Sequence, residues 1–560
     1  MFKNLRSLFI FFAFVAVCSA PQLRAQSNAP RVRTFDAQHY TISTSFNRQA
    51  KTITGETTIV LKPLQDNFKS LTLDAANLRV SSVTLKTSNK VLPFRIADDK
   101  LTVTLDKSYA PVDSISLEIK YTARPRKGLY FIDAKDKGQK ITRGAQIWTQ
   151  GEPEDSRHWF PSYDYPDDKA TSEQFITTAA DETAIANGEL VNIETKRNGT
   201  KTFHFKMNVP HSTYLTSLVV GKYVRVSDQY NKIPLGYYVY PGTESIVEPA
   251  YGKTKKMFQT FEKLLDYKFP FLKYDQTIVA EFKFGGMENV TATTMADDEI
   301  LKAVAGESNV EVENLVSHEL AHSWFGNLVT CKNWSELWLN EGFATFMESV
   351  FLENEYGREV YLSEMRKNAA QYFAEELVGI KHPLVNLRAK PDILLFDSTT
   401  YKKGGFVVHM LRETVGDEMF WKSINVYLNA NKFQNVETQN LQTAFERTTG
   451  KDLNWFFDQW IRKAGFPRLK IEPSYNPARK QLRLTVKQTQ KSDSQTPEVF
   501  RIFAELEIQN SSGEKQIEKI EINQREQTFT FSVAEKPANI VFDKREQVLK
   551  RVDIASITAF

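Results

Sequence analysis

Two of the eight histidines in this 560-residue chain stand four apart, in His318-Glu319-Leu320-Ala321-His322. A glutamate, Glu341, follows after eighteen intervening residues, in Trp338-Leu339-Asn340-Glu341-Gly342-Phe343-Ala344. Residues four apart lie one turn apart on the same helix face, so both imidazoles can turn a nitrogen toward one ion. Two histidines and a carboxylate supply three ligands and leave the fourth position of a tetrahedral Zn2+ site for water, as catalytic zinc requires and structural zinc does not. Zinc lowers the pKa of bound water from about 16 toward roughly 7, and Glu319, beside the first ligand without being one, can accept the proton as water attacks a carbonyl. The pattern predicts a hydrolase with one Zn2+ held by His318, His322 and Glu341 and with Glu319 as general base. A bare HExxH also arises on surface helices, where its histidines are merely solvated; the acidic third ligand at helix-turn-helix distance argues against that.

Two further groups of residues carry weaker signals. Gly285-Gly286-Met287-Glu288-Asn289 follows an apolar strand candidate, Thr277 to Phe284. Paired glycines let a backbone approach a ligand, a strand edge can pair with an extended peptide, and Glu288 could receive a cation. Tyr401-Lys402-Lys403-Gly404 opens an apolar helical stretch, Phe406 to Leu411. A phenol beside zinc can donate a hydrogen bond to the oxyanion formed when water adds to a carbonyl, a contact worth a few kcal/mol. Read alone, Gly-Gly before a polar pair is a turn and Tyr401 a boundary tyrosine.

The elements that must position these groups follow from periodicity. Val312, Leu315, Val316 and Leu320 predict a helix from Val312 to Phe325, stopped by Gly326 and Asn327. A second helix from about Leu337 past Glu348, after the Asn333-Trp334-Ser335 turn, would bring Glu341 back to the same ion. From Arg31 to Asp228 alternation dominates, as in Thr57 to Leu61, Leu101 to Leu105 and Ile115 to Ile119, predicting an antiparallel β domain over 31–228. Helical spacing, with Phe258, Phe261 and Leu265 on one face, marks a catalytic domain over 229–465. After Gly465-Phe466-Pro467 alternation returns in Leu482, Leu484 and Val486 and in Phe529, Phe531 and Val533, predicting a β-sandwich over 466–560. The polar run from Gln488 to Pro497 reads as a loop. The fold class is multidomain α+β.

Length alone implies several domains. The 72 basic and 68 acidic residues give a net charge of +4 without a Lys/Arg block, so nothing predicts a nucleic-acid partner or an anionic membrane surface. Lys3 and Arg6 before the apolar run Leu8 to Val17, with Ala25 beyond, predict a signal peptide over 1–25. The run is too short to span a bilayer, so a mature chain without a transmembrane segment, periplasmic or secreted, is expected; retention of the segment as an anchor, or lipidation at Cys18, are the alternatives. With the leader removed, Cys331 has no intrachain partner, and it reads as a packed thiol rather than a ligand.

With these three motifs in this order, the chain resembles the M1 family of zinc aminopeptidases, the gluzincins related to aminopeptidase N and leukotriene A4 hydrolase. The family carries GxMEN, HExxH with a glutamate eighteen residues on, and a Tyr before a Lys-Gly. Lesser similarities extend over Gln150 to Pro166, with Arg157 and Asp164; His211-Ser212-Thr213-Tyr214-Leu215; and Trp455 to Pro467. The resemblance implies a thermolysin-like catalytic domain, zinc on His318, His322 and Glu341, Glu319 as base and Tyr401 steadying the tetrahedral intermediate. It further implies that Glu288, aided by Glu152, binds the free α-amine of a peptide, that Gly285 and Gly286 flank the substrate, and that Met287 lines the pocket for its first side chain. Gly286 stands where the family commonly has Ala, which should add backbone freedom. The chain reads as a short form without the large C-terminal helical domain, so its cavity is expected to be more open, or closed by another subunit in a homo-oligomer. Epoxide hydrolysis at the same zinc and a non-catalytic binding protein are the rival readings.

Overall fold

The computed structural model describes residues 31–135, 143–387 and 392–559. The leader segment 1–25 lies outside the described residues.

The first region is built on an eight-stranded sheet whose middle strands are Phe35–Asn47, Thr52–Pro63 and Ile115–Ala123. Alternation is the reason: Ile59, Leu61, Ile115, Leu117 and Ile119 are buried while their neighbours along the strand are not. The sheet departs from the expected antiparallel pattern at one place, where Phe35–Asn47 pairs in parallel with Ala170–Ala179. These two strands are far apart in sequence, and the long connection between them supplies the crossover that parallel pairing requires. A four-stranded sheet, ordered Thr183–Ala186, Leu218–Gly221, Gln146–Thr149, Leu129–Ile132, packs beside it and releases the chain at Gln150 toward the candidate site.

The middle region combines helices with a mixed five-stranded sheet, ordered Val224–Tyr230, Ile233–Val239, Tyr274–Val279, Ala292–Ala296, Gly286–Met287. The boundary expected at 228/229 falls inside the first of these strands. The strand expected over Thr277 to Phe284 is Tyr274–Val279 instead. Beyond Val279 the backbone turns to the first region, with Ala280 N–H donating to Gln146 Oε1 at 3.0 Å and Ala280 O accepting from Trp148 Nε1 at 3.1 Å. Glu281 and Gly285 then take positive φ, and the chain re-enters the sheet as its edge strand Gly286–Met287.

The helix carrying both histidines is Val310–Ala321, beginning two residues before the expected start and ending four residues before the expected end, with His322 as its C-cap. The next helix, Trp338–Tyr356, is preceded by a 3₁₀ turn, Trp334–Glu336, whose cap Asn333 accepts from Ser335 N–H at 3.0 Å. Phe325 and Phe343 stack at 4.5 Å between centroids and hold the turn after the first helix against the second; such pairs contribute about 0.5–1.5 kcal/mol beyond area burial.

A third helix, Gly404–Val415, crosses the second where Gly342 meets Gly404. A Cβ on either residue would lie 3.0 Å from the other's Cα. This close approach allows Glu341 and Tyr401, each just N-terminal to the crossing, to reach one point.

The last region packs a sheet containing Glu526–Ser532, Gln481–Gln488, Arg468–Asn476 and Arg551–Ile554 against Lys515–Ile522, Ile502–Gln509 and Asn539–Phe542, giving the expected sandwich. The pairing of Arg468–Asn476 with Arg551–Ile554 is parallel. The sandwich is tied to the helices through buried His409, whose ring bonds to Tyr361 Oη at 2.7 Å and to Glu546 O at 2.9 Å.

Replacing Gly342 by Ala should force the two helices apart and lower stability by about 1–3 kcal/mol, read as a shift in the thermal or denaturant midpoint. Gly144→Ala, at a glycine outside the positive-φ region where a Cβ would meet nothing closer than 3.8 Å, provides the comparison.

Candidate active site

His318 and His322 reach the cleft from one helix face, and Glu341 reaches it from the facing helix. The structure brings their ligand atoms together: His318 Nε2 and His322 Nε2 lie 3.0 Å apart, and Glu341 Oε2 lies 3.3 and 3.4 Å from them. His318 Nδ1 bonds to Glu348 Oε1 at 2.6 Å and His322 Nδ1 to Phe325 O at 2.8 Å. Both partners are pure acceptors, so both Nδ1 atoms carry the proton and both Nε2 atoms of the neutral rings present lone pairs. Two facing lone pairs and a buried carboxylate oxygen repel unless a shared proton or a metal cation sits among them. Tetrahedral zinc with bonds of about 2.0–2.1 Å spaces its ligand atoms about 3.3 Å apart, and the three separations fit that figure. The residues therefore fit the ion.

The short helix has the same origin. Were it to continue to Phe325, that carbonyl would point along the axis to the next turn and could not accept from the His322 ring. The chain instead turns, with Asn327 N–H bonding to His322 O at 2.9 Å and Gly326 at φ +128°.

Glu319 is buried, with Oε2 lacking a hydrogen-bond partner among the described residues. Burial, opposed by His318 and His322 and reinforced by Glu288 and Glu341, pushes its pKa up to about 8, a range suited to receiving a proton. A Cβ at Gly286 would meet this carboxylate where it stands, so an alanine there would require the Glu319 side chain to shift. Glu341 behaves oppositely: burial would raise it, but His322 and His318 outweigh burial and hold it at about 2, so it remains ionised.

The structure places Glu288 and Glu152 beside Glu341, with one oxygen of each within 4.8 Å of the others. All three are buried, and Glu152 Oε1 has no partner among the described residues. Burial, then Glu288 and Glu341, drives Glu152 well above the carboxylate range; burial likewise raises Glu288, though His322 opposes it. Such a cluster calls for a cation. Met287 is buried beside them, accepting at Sδ from Gln150 Nε2 at 3.2 Å. Gly285 turns the chain at φ +77°, and Gly286–Met287 forms the free edge of the sheet along the cleft.

Tyr401 sits in a π-helical turn, Thr399–Lys403, with its ring parallel to that of His318 at 6.2 Å. Burial and then Glu341 and Glu152 raise its pKa well above 10, so the phenol keeps its proton and can donate. These side chains line one cleft of about 390 Å³, together with Gln150, Phe284, Leu315, Glu348, Phe396 and Lys402.

The chain belongs to peptidase family M1. The Peptidase M1 N-terminal domain profile matches residues 36–215, the Peptidase family M1 domain profile residues 249–460, and a domain of unknown function with an Ig-like fold residues 465–544. "Aminopeptidase N" of Streptomyces lividans is 33% identical over 59% of this chain and 39% of its own. "Probable aminopeptidase 2" of Sulfurisphaera tokodaii is 30% identical over 70% of this chain and 50% of its own. "Aminopeptidase 2, mitochondrial" of Saccharomyces cerevisiae is 33% identical over 64% and 39%. The chain thus spans about two fifths to one half of the length of these M1 relatives. M1 membership implies zinc, which the His318, His322 and Glu341 set fits.

Several positioning residues were not legible in the sequence. Glu348 lies two turns beyond Glu341 on the same helix, and that spacing was the available signal. Tyr214 accepts from Asn340 Nδ2 at 3.3 Å and donates to Glu288 Oε1 at 3.5 Å; it stands in the His211–Leu215 stretch, which drew attention only as similarity. Asp397 caps the π-turn, accepting from Thr399 and Thr400 N–H at 3.0 Å each, and its other oxygen bonds to His382 Nε2 at 2.7 Å. Arg157 and Asp164 lie outside the cleft. Arg157 Nε donates to Asp164 Oδ2 at 3.0 Å, and both brace the segment that carries Glu152. Cys331 is buried, outside the ligand set, with its N–H donating to Asn340 Oδ1 at 3.1 Å.

Among the described residues, no helix is long and apolar enough to cross a membrane.

Replacing Glu348 by Gln should loosen zinc about 10- to 100-fold, measured by competition with a chromophoric chelator. Zinc occupancy should also fall with pH. Glu348 and Glu341 outweigh burial and raise His318 to about 9 in the ion-free site, so metal must displace protons there and loses that competition as acidity increases. Metal analysis after dialysis from pH 8 to pH 4 checks this.

Proposed function

We propose that this protein is a zinc-dependent aminopeptidase that removes residues from the free N-terminus of peptides. The observation that carries the reading is the pair of buried carboxylates, Glu152 and Glu288, fixed within 4.8 Å of a ligand oxygen of Glu341. A peptide ammonium seated on them leaves its first peptide bond over the metal ligands, whereas an internal bond has no cation to place there. One Zn2+ is proposed, because the other two acidic groupings share His322 or Glu341 with the first.

When bound, zinc supplies Lewis-acid polarisation of the carbonyl and acidifies water. Glu319 takes the proton from the attacking water and passes it to the departing amide nitrogen as the C–N bond breaks. Tyr401 Oη donates to the oxyanion of the tetrahedral species. Met287 and Gln150 border the first side chain, and the free edge at Gly286 supports pairing with an extended backbone. The basic and apolar leader-like segment supports placing the protein outside the cytoplasm, periplasmic or secreted.

A panel of aminoacyl reporters with N-acetylated controls tests the reading: free amines should be cleaved and acetylated ones not, and equal cleavage would sink it. Glu319→Gln should retain zinc while turnover falls about 10²- to 10⁴-fold, and Tyr401→Phe should lower kcat about 10²- to 10³-fold. Since Glu319 acts only when ionised, kcat/KM should fall as pH drops through its pKa. A bound dication will hold that limb below the ion-free value of about 8.

A further inference from the structure

The cleft is electrically polar along its length. Its closed end is lined by Gln150, Glu152, Met287 and Glu288, all buried. Its mouth is lined by Phe284, which is 55% exposed, and by half-buried Leu315, Phe396 and Lys402.

Lys402 is the sole cationic Lys or Arg on the lining of a cleft that also carries Glu152, Glu288, Glu319, Glu341 and Glu348. Even so, its ammonium makes no hydrogen bond or ion pair with any described residue. Its neighbour behaves differently: Lys403 is fully buried and donates to Lys463 O at 3.3 Å and Gly465 O at 3.4 Å. The π-turn, with Lys403 N–H bonding five residues back to Ser398 O at 2.9 Å, thus sends one lysine into the structure and leaves the other at the cleft beside Tyr401.

We infer that Lys402 reads a carboxylate on the leaving-group side of the scissile bond, so that short peptides with a free C-terminus, or peptides with an acidic second residue, are the preferred substrates. This rests on the aminopeptidase reading, which fixes the direction of the peptide. With the ammonium at the closed end and the first carbonyl at the metal ligands, the departing portion can leave only by the mouth. A dipeptide spans about 7 Å, and the flexible four-carbon stem of lysine lets its ammonium follow a carboxylate at either source. The remaining charge of the cleft acts in the opposite sense. Its carboxylates attract cations, so a peptide amide, which carries one more net positive charge than the free peptide, would bind better if Lys402 played no part.

Calorimetry on zinc-loaded Glu319→Gln protein separates these cases without needing turnover. Leucylglycine is compared with leucylglycinamide for the terminal carboxylate, and leucylglutamic acid α-amide, whose side-chain carboxylate is free, with neutral leucylglutaminamide for the side chain. The carboxylate form in at least one pair should bind about 3- to 10-fold more tightly, the range of a partly exposed ion pair. The pair that shows the preference identifies the source. Lys402→Ala in the same background should erase or invert the preference, Lys402→Glu should invert it, and Lys402→Arg should keep it. Equal affinity in both pairs, undetectable binding throughout, or a preference that survives Lys402→Ala overturns the inference. The outcome is distinct from that of the function test. Free-amine selectivity without a carboxylate preference leaves the aminopeptidase reading standing, whereas a carboxylate preference shown equally by acetylated peptides would remove the amine seat and keep Lys402.

Discussion

Two imidazole nitrogens facing each other at 3.0 Å, and a buried carboxylate oxygen just over 3 Å from both, form an arrangement that only a shared proton or a metal cation makes favourable. Much of the middle region can be understood as the scaffold that keeps those three atoms in place. Glu348 and the Phe325 carbonyl fix the tautomers, the end of the first helix at Ala321 frees that carbonyl, and the stack of Phe325 on Phe343 holds the turn against the second helix. The Gly342–Gly404 crossing then brings Tyr401 to the same point.

The site is shared between two regions of the chain. The middle region provides the ligands, the base and the phenol. The first region provides Glu152, on a segment pinned by Arg157 and Asp164 on one side and by Ser156 Oγ donating to Thr213 O at 3.0 Å on the other. Tyr214 continues from that contact to Glu288 and Asn340, and Trp334 Nε1 reaches back to Glu154 at 3.2 Å. Lys169, also from the first region, donates to Asn327 O and Leu328 O at 3.0 and 3.2 Å, while Asn327 Nδ2 donates to Glu288 O at 2.9 Å. The buried Glu152–Glu288 pair and the candidate metal ligands are thus held in register by hydrogen bonds that cross the junction, which is where a site of this kind gains rigidity.

The carboxylates share a cleft but differ in state. Glu341 is kept ionised by two adjacent imidazoles, Glu319 is raised because burial exceeds the pull of those same rings, and Glu152 is raised well above the carboxylate range by burial reinforced by Glu288 and Glu341. Environment gives residues of one chemical type different protonation states, which suits the proposed division into a ligand, a base and a cation seat.

The amino-acid sequence by itself determined the candidate metal ligands and candidate base, because the four-residue spacing of His318 and His322 is converted directly into geometry by helix pitch, and the order of regions, because alternation and helical periodicity are local properties. It also marked Glu288 and Tyr401 through their motifs. Tertiary structure alone decided what depends on contacts between distant segments: the parallel pairing of Phe35–Asn47 with Ala170–Ala179, the end of the strand at Val279 where Gln146 and Trp148 take over its backbone bonds, and the roles of Glu348, Tyr214 and Asp397. Arg157 and Asp164 could not be told from cleft residues by sequence, because a buried ion pair and a substrate-binding pair use the same side chains. Lys402 and Lys403 are adjacent and identical in type; only the fold, by turning one inward and the other to the cleft, gave them different partners.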